Sequence, residues 1–296
     1  MDITFIPQEE IDKVKWNSCV HYAHNGNIFG YKWYLDGIAR EWDALVEGDY
    51  ESVMPLIWRK NWLGKRELYI PGLIREAGIY SINLLSSKRI DSFLRAIPKE
   101  YRSASLHLTQ GSPAMEEKGW NLKEKENYQM LLERPYEEIA GDYSADLLGR
   151  LEISEQADVL PSGALKPEQL ADFYKEHTPS HPGKERNYHG LMRIMYNALH
   201  RGWGFSTGII SRDQQLLAAG FFTTSHSRIF KLLALVSPEG KKVAALERML
   251  DQLMQRSAGR PLLFDWDASA EDAQLARDFG GQKVTFARIE KGKKWF

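Results

Sequence analysis

A chain of 296 residues, 43% of them hydrophobic, carries enough apolar material for two domain cores. Its 39 basic and 40 acidic side chains leave a formal charge of -1, which excludes a global positive field for nucleic acid or a membrane surface but not a local basic patch. One cysteine, Cys19, excludes an intrachain disulfide and a Cys-x-x-Cys metal knuckle, and it reads as a partly buried structural thiol ahead of a nucleophile.

In chain order, residues 8–18 read as a short opening helix and Tyr31–Trp42 (YKWYLDGIAREW) as a stronger one. Strands are expected at 42–48, 51–59 and 66–72, joined by Gly48-Asp49-Tyr50 and Asn61-Trp62-Leu63-Gly64-Lys65, both of hairpin size. SSKRIDSFLRAI is a serine-capped amphipathic helix, and SASLHLT at 103–109 alternates as a strand. ENYQMLLER reads as a further strand, and PYEEIAGDYSADLLGRLEIS as mostly helical, opening on Pro135. The polar stretch near 150–158 marks the expected boundary, giving domains 1–155 and 156–296. The second half is more regular. A helix begins near Pro167, another ends at Gly202, and strands follow at 204–211, 216–225 and 229–237. A helix over KKVAALERMLDQLMQ, a strand at RPLLFDWD, a helix over AEDAQLARDF and a last strand KVTFARI complete it.

No run of eighteen apolar residues is present, so no membrane-spanning helix or membrane insertion is expected. The opening MDITFIPQEEIDKVKW lacks the basic-then-apolar order of a secretory signal, and a cytoplasmic location is the expectation.

The two halves repeat. A displacement of 164 residues carries Tyr31–Trp42 onto the helix ending near Gly202, Met54-Pro55-Leu56 onto Ala218-Ala219-Gly220, and Leu68-Tyr69 onto Leu232-Leu233. Identity between the halves is low, and an internal structural repeat is the economical explanation.

The densest group of candidate site residues lies in the second half. There the strand ending at Val236 passes through Ser237-Pro238-Glu239-Gly240-Lys241-Lys242 into a helix. Such a junction leaves amide hydrogens for phosphate oxygens, with Lys241 and Lys242 adding charge; an ordinary turn with solvated lysines is the competing reading. Asp265 and Asp267 stand two apart in a strand, share a face, and are candidate general bases, although either could cap the next helix.

With KLLALVSPEGKKVAALERMLDQLM and PLLFDWDASAEDAQLARDFGGQKVTFARI, the second half resembles the Gcn5-related N-acetyltransferase (GNAT) fold. With FGYKWYLDGIAREWDALVEGDYESVMPLIWR and YIPGLIREAGIYS in the first half, the chain resembles the tandem FemAB-like branch of that superfamily. The resemblance implies an α/β fold class (α+β, mixed sheets) of two tandem acyl-CoA N-acyltransferase-like domains. It also implies transfer of an acyl group to an amine, from a coenzyme A thioester or an aminoacyl-tRNA. Val236, Gly240, Lys241, Lys242 and Ala244 would bind an acyl-CoA such as acetyl-CoA. The family loop, Arg/Gln-x-x-Gly-x-Gly/Ala, survives here as Gly240 and Ala244, and the side chains between them obstruct a close pyrophosphate.

The first half would be a degenerate domain whose helix, with Tyr31, Trp33, Tyr34 and Asp36, walls the acceptor; packing of aromatics on a sheet is the alternative. Arg186 could bind an acidic group of the substrate, or be a solvated helix start, and Tyr188 is a further candidate catalytic group. His177, His181 and His189 have no ligand spacing, so no metal is expected. The expected reaction is direct attack of a small amine or peptide on the donor, without a covalent intermediate. Transfer from aminoacyl-tRNA in the FemAB manner is a second reading, which near-neutral charge weakens, and a non-catalytic ligand- or protein-binding descendant is a third.

Overall fold

The computed structural model describes residues 2–109, 111–113, 115, 117–179, 184–266 and 272–292, with the side chains of 184–187 left out. The first elements are β1 (Ile3–Ile6), α1 (Lys13–Tyr22), α2 (Lys32–Ile38), β2 (Trp42–Glu47), β3 (Ser52–Lys60), β4 (Arg66–Leu68), β5 (Tyr80–Ser81), α3 (Ser87–Ala96) and β6 (Ala104–His107). Next come β7 (Asn121–Leu131), α4 (Tyr136–Gly141), α5 (Ala145–Gln156), β8 (Leu160–Pro161), α6 (Pro167–His177), α7 (Lys184–His200), β9 (Gly204–Ile210), β10 (Leu216–Ser225) and β11 (Arg228–Val236). The chain continues through α8 (Pro238–Lys242), α9 (Ala245–Ser257), β12 (Leu263–Asp265), α10 (Ala273–Asp278) and β13 (Gln282–Lys291).

The chain divides into two compact units, Met1–Lys125 with Thr285–Phe296, and Glu126–Val284. In the first unit the strands run in the order β1-β2-β3-β4-β6-β13, with β5 on β3. All pairs are antiparallel except β4 with β6, which meet in parallel at Leu68 and Ala104. Local chemistry starts its helices: Asp12 accepts from the amides of Val14 and Lys15 to open α1, and Ser86 accepts from Arg89 to open α3. Helix α3 then sets Ile90, Phe93 and Leu94, one face at helical spacing, against Leu45, Leu56, Leu68 and Leu106.

In the second unit the order is β7-β12-β11-β10-β9-β8, again antiparallel except for one parallel pair, β11 with β12. Its core packs α9 (Met249, Leu250, Leu253, Met254) and α5 (Leu147, Leu151) against Met130, Ile229, Phe264 and Trp266.

The repeat holds in the elements. Adding 164 to the bounds of β3 gives 216–224, inside β10, and adding it to β4 gives 230–232, inside β11. The halves exchange their last strands. Strand β7, from the first half, pairs with β12 in the second unit, and β13, from the second half, pairs with β6 in the first. For that reason the units part at 125/126 and 284/285 rather than at 155/156. The polar stretch expected to be a linker lies at the end of α5, whose Leu147 and Leu151 are in the second unit's core.

Local departures from the expected elements have physical causes. The strand expected over 66–72 stops at Leu68, ahead of Pro71, which has no amide to donate. The helix expected over Tyr31–Trp42 ends at Ile38, and Trp42 opens β2. The helix expected over 241–255 is two helices, broken where Ala244 takes a left-handed conformation at φ 48°.

Candidate functional site

In the second unit, parallel strands β11 and β12 are in register only over Arg228–Phe230 and Leu263–Asp265. Beyond that pair β11 runs six residues further, to Val236, while Trp266 leaves the ladder with β11 and donates its amide to the Tyr128 carbonyl of β7 at 3.0 Å. The two neighbouring strands therefore part past Phe230 and Asp265. Strand alternation decides which side chains flank this wedge. Phe264 and Trp266 point with Tyr128 and Met130 into the core, so Asp265 lies on the opposite face with Asn127 and Gln129.

Asp265 is fully buried. Its Oδ1 accepts from Asn127 Nδ2 and its Oδ2 from Gln129 Nε2, each at 2.9 Å. A carboxylate can be removed from water at tolerable cost only with such partners. Lys231, on β11 one residue past the last pair with β12, is buried and donates to Asp272 Oδ2 at 2.9 Å. Asp267 lies outside the described residues.

At the far end of β11, Val236 is half-buried and pairs with Ala218. The junction that follows spends its own amides. Gly240 donates to Ser237 Oγ at 2.9 Å, Lys241 to the Ser237 carbonyl at 3.0 Å, and Val243 to the Gly240 carbonyl at 3.2 Å. The Ala244 amide reaches the Lys241 carbonyl at 3.4 Å. Gly240 is required by its own scaffold, because a Cβ there would stand 2.2 Å from the Leu217 carbonyl oxygen. Lys241 and Lys242 are exposed, and Ala244 is buried. Beside this turn lies a hollow of about 320 Å³ lined by Asp158, Arg212, Asp213 and Glu239, three acids to one base. Arg212 is itself paired with Asp158.

Tyr188, on α7, is partly buried with its hydroxyl 3.5 Å from Asp172 Oδ1 and Lys175 above its ring. Arg186 lies in the same helix, with its side chain outside the described residues. Among the described residues no group of His, Cys, Asp and Glu side chains could hold a metal ion.

In the first unit the expected acceptor-wall residues are mostly packing. Tyr31 is buried, which pushes its hydroxyl up to about 12, and that hydroxyl lies 3.1 Å from His21 Nδ1. Tyr34 is fully buried, donates to the Leu73 carbonyl at 2.7 Å and meets the rings of Phe29 and Trp33 edge-on; Trp33 is buried beside it. Asp36 is exposed but engaged, accepting from Trp42 Nε1 at 2.9 Å, Gln8 Nε2 at 3.0 Å and Lys32 Nζ at 3.3 Å. It ties α2 to β2.

The first unit has its own wedge, between β4 and β6 past Leu68 and Ala104. The loop after β4 fills it with Tyr69, Ile70, Pro71 and Ile74, leaving a cleft of about 10 Å³, room for about one water. His107 lines that cleft, 92% buried, with no hydrogen-bond partner at Nδ1. Burial lowers the imidazole to about 4, with the Arg75 backbone working in the opposite direction.

No protein-family model matches the sequence, and no curated protein is similar to it. Solved structures are. FemX is similar at a TM-score of 0.67 over 97% of this chain and 97% of its own, with 10% identity. The structure of L-PGS from Bacillus licheniformis is similar at 0.56 over 96% and 92%, with 11% identity. A tandem GNAT protein from the clavulanic acid biosynthesis pathway is similar at 0.52, with 98% of both chains covered and 8% identity. The chain has the tandem GNAT fold of the FemAB-like proteins.

In a tandem GNAT frame, the acyl-CoA expectation can be tested on the junction itself. Residues Gly240–Ala244 make a poor pyrophosphate cradle: the amides of Gly240, Lys241, Val243 and Ala244, four of the five, are bonded within the turn, and the space at Gly240 is filled by β10. Asp265 is held by two side chains that the sequence alone did not single out, Asn127 and Gln129; Lys231, which pairs in register with core-facing Phe222, lies on the other face of the sheet. Alternation in Asn127-Tyr128-Gln129-Met130, and a lone lysine inside the apolar IFKLLALV, were the available signals.

Proposed function

We propose that the chain is an acyltransferase that moves an acyl or aminoacyl group from an activated donor to an amine by direct attack. The observation that carries this reading is the wedge between β11 and β12, where the strands part beside a buried carboxylate and a buried lysine. An acyl group laid along the unpaired edge of β11 would find backbone amides for a developing oxyanion. The amine nitrogen attacks the donor's carbonyl carbon, the bond from that carbon to the donor's sulfur or oxygen breaks, and the ammonium proton passes to a carboxylate. Asp265 holds that position, and the acceptor must displace the Asn127 or Gln129 amide to reach it. Asp267 and Tyr188 are the alternative bases, and Tyr31, Trp33, Tyr34 and Asp36 shape the first unit rather than touch the acceptor. The protein acts in the cytoplasm on a small amine or peptide.

A second reading, a binding protein without catalysis, draws on the full burial of Asp265 and the occupied amides of the junction. The test is transfer. Purified protein is incubated with a pool of amines and peptides and either acyl-CoA thioesters or aminoacyl-tRNA, and new amides are sought by mass spectrometry. A donor-dependent amide that Asp265→Asn abolishes at an unchanged melting temperature supports the enzyme. Retention of a ligand with no transfer from either donor class supports the second reading.

A further inference from the structure

The hairpin between β3 and β4 is built to hold an aromatic side chain in water. Asn61 Oδ1 accepts from the amides of Leu63 at 3.0 Å and Lys65 at 3.1 Å, the Asn61 amide donates to the Lys65 carbonyl at 2.9 Å, and the Gly64 amide donates to the Asn61 carbonyl at 2.9 Å. Gly64 sits at φ +72°, where a side chain would be strained. The turn is thereby fixed with Trp62 and Leu63 outward, 75% and 48% exposed. Turn tips are ordinarily polar, and tryptophan is among the side chains with most apolar area to hide.

Charge surrounds the tip with one sign in excess. Arg59 is paired with Glu67, and Arg66 with Glu100, while Arg66 also stacks over Trp58. The segment around Arg102 borders the base of the hairpin, its amide donating to the Arg66 carbonyl at 3.0 Å. Lys60, Lys65, Lys99 and Arg102 are all exposed and have no ion pair among the described residues. Glu41, at the neighbouring start of β2, is exposed next to Arg40 in the chain, and Asp43 lies 3.9 Å from Arg66. This local patch survives in a chain whose total charge is -1.

We propose that this tip is an interfacial anchor that seats the protein on an anionic lipid bilayer, independently of the chemistry in the second unit. An apolar tip of two residues is far too small for a stable protein interface, which needs about 800 Å² from each partner. A bilayer asks less. One indole settles at headgroup depth, its leucine neighbour enters the acyl boundary, and the flanking lysines and arginine meet lipid phosphates. Nothing has to span the membrane, in keeping with the lack of any helix long and apolar enough to do so among the described residues.

Co-sedimentation of the full chain with vesicles of phosphatidylcholine, with and without phosphatidylglycerol, tests the anchor. Binding is expected only with phosphatidylglycerol and should weaken as salt is raised. The Trp62→Ala, Leu63→Ser double variant and the Lys60→Glu, Lys65→Glu double variant should each lower it by about tenfold or more, with melting temperatures little changed because all four side chains are exposed. No binding to phosphatidylglycerol vesicles, or binding that neither double variant weakens, would overturn the proposal.

Discussion

The two units open the same gap in their sheets and fill it differently. In the first, β4 and β6 part after one paired residue, and the following loop closes the gap with Tyr69, Ile70, Pro71 and Ile74, leaving space for about one water beside a neutral His107. In the second, β11 and β12 part after three paired residues beside Asp265, Asn127 and Gln129, polar groups carried at full or near-full burial on one face, with Lys231 buried on the other. The same parting of strands is thus lined by apolar loop residues in one unit and flanked by a buried, amide-bonded carboxylate in the other. Polar burial costs stability that apolar filling does not, and in the second unit the two amides bonded to Asp265 offset that cost.

Breaking the polar recess should have the largest effect. Asp265→Ala leaves two buried side-chain amides without an acceptor, at about 1–3 kcal/mol each, for a loss of about 4 kcal/mol in urea unfolding. Asp265→Asn should cost far less, because Asn127 or Gln129 can turn its amide to offer an oxygen. Equal losses in the two variants would mean that the carboxylate's charge, not its acceptor capacity, holds β12 to β7.

The packed wall should answer to pH instead. The folded value of His107, about 4, lies below the unfolded value of about 6.5, so the unfolded chain binds the proton more readily. Stability is therefore complete above about pH 6.5 and falls as pH drops toward 4, by about 3 kcal/mol in all. Urea melts over that range should slope less steeply in His107→Phe. An identical slope in the variant would place the titrating group elsewhere.

At the junction after β11, Gly240→Ala should cost about 2 kcal/mol, because the new methyl meets the Leu217 carbonyl oxygen at 2.2 Å and β10 must shift. A neutral substitution there would reopen the junction as a ligand cradle. The smallest expected effect is at Cys19, buried with its thiol pushed up to about 12 by desolvation. Alkylation at pH 8 should label it only after unfolding, and rapid labelling of the native protein would contradict its structural role.

Most of this architecture was legible from local pattern. Strands β2, β3, β9, β10 and β11 follow from alternation and turn residues, and the common displacement relates β3 to β10 and β4 to β11. The strand exchange was not legible, because nothing near β7 says that its partner β12 is more than a hundred residues away. The break at Ala244 was hidden for a different reason: alanine is a strong helix former, and only packing forces it to φ 48°. Asp265 could be picked out by its strand position. Its partners Asn127 and Gln129 could not, since they are joined to it at sequence separations of 138 and 136.

Hydrogen exchange on the full chain, with and without an activated donor, tests most directly the claim that the second unit's wedge takes the acyl group. Acetyl-CoA and an aminoacyl-tRNA would be used as separate probes. The account predicts that at least one donor slows exchange along the stretch of β11 beyond its ladder with β12, residues 231–236, and at Asn127–Gln129, while Leu68–Ile74 and Ala104–His107 exchange as before. Protection confined to the first unit's wedge would contradict it, and would move the donor to the side of the molecule read here as a wall.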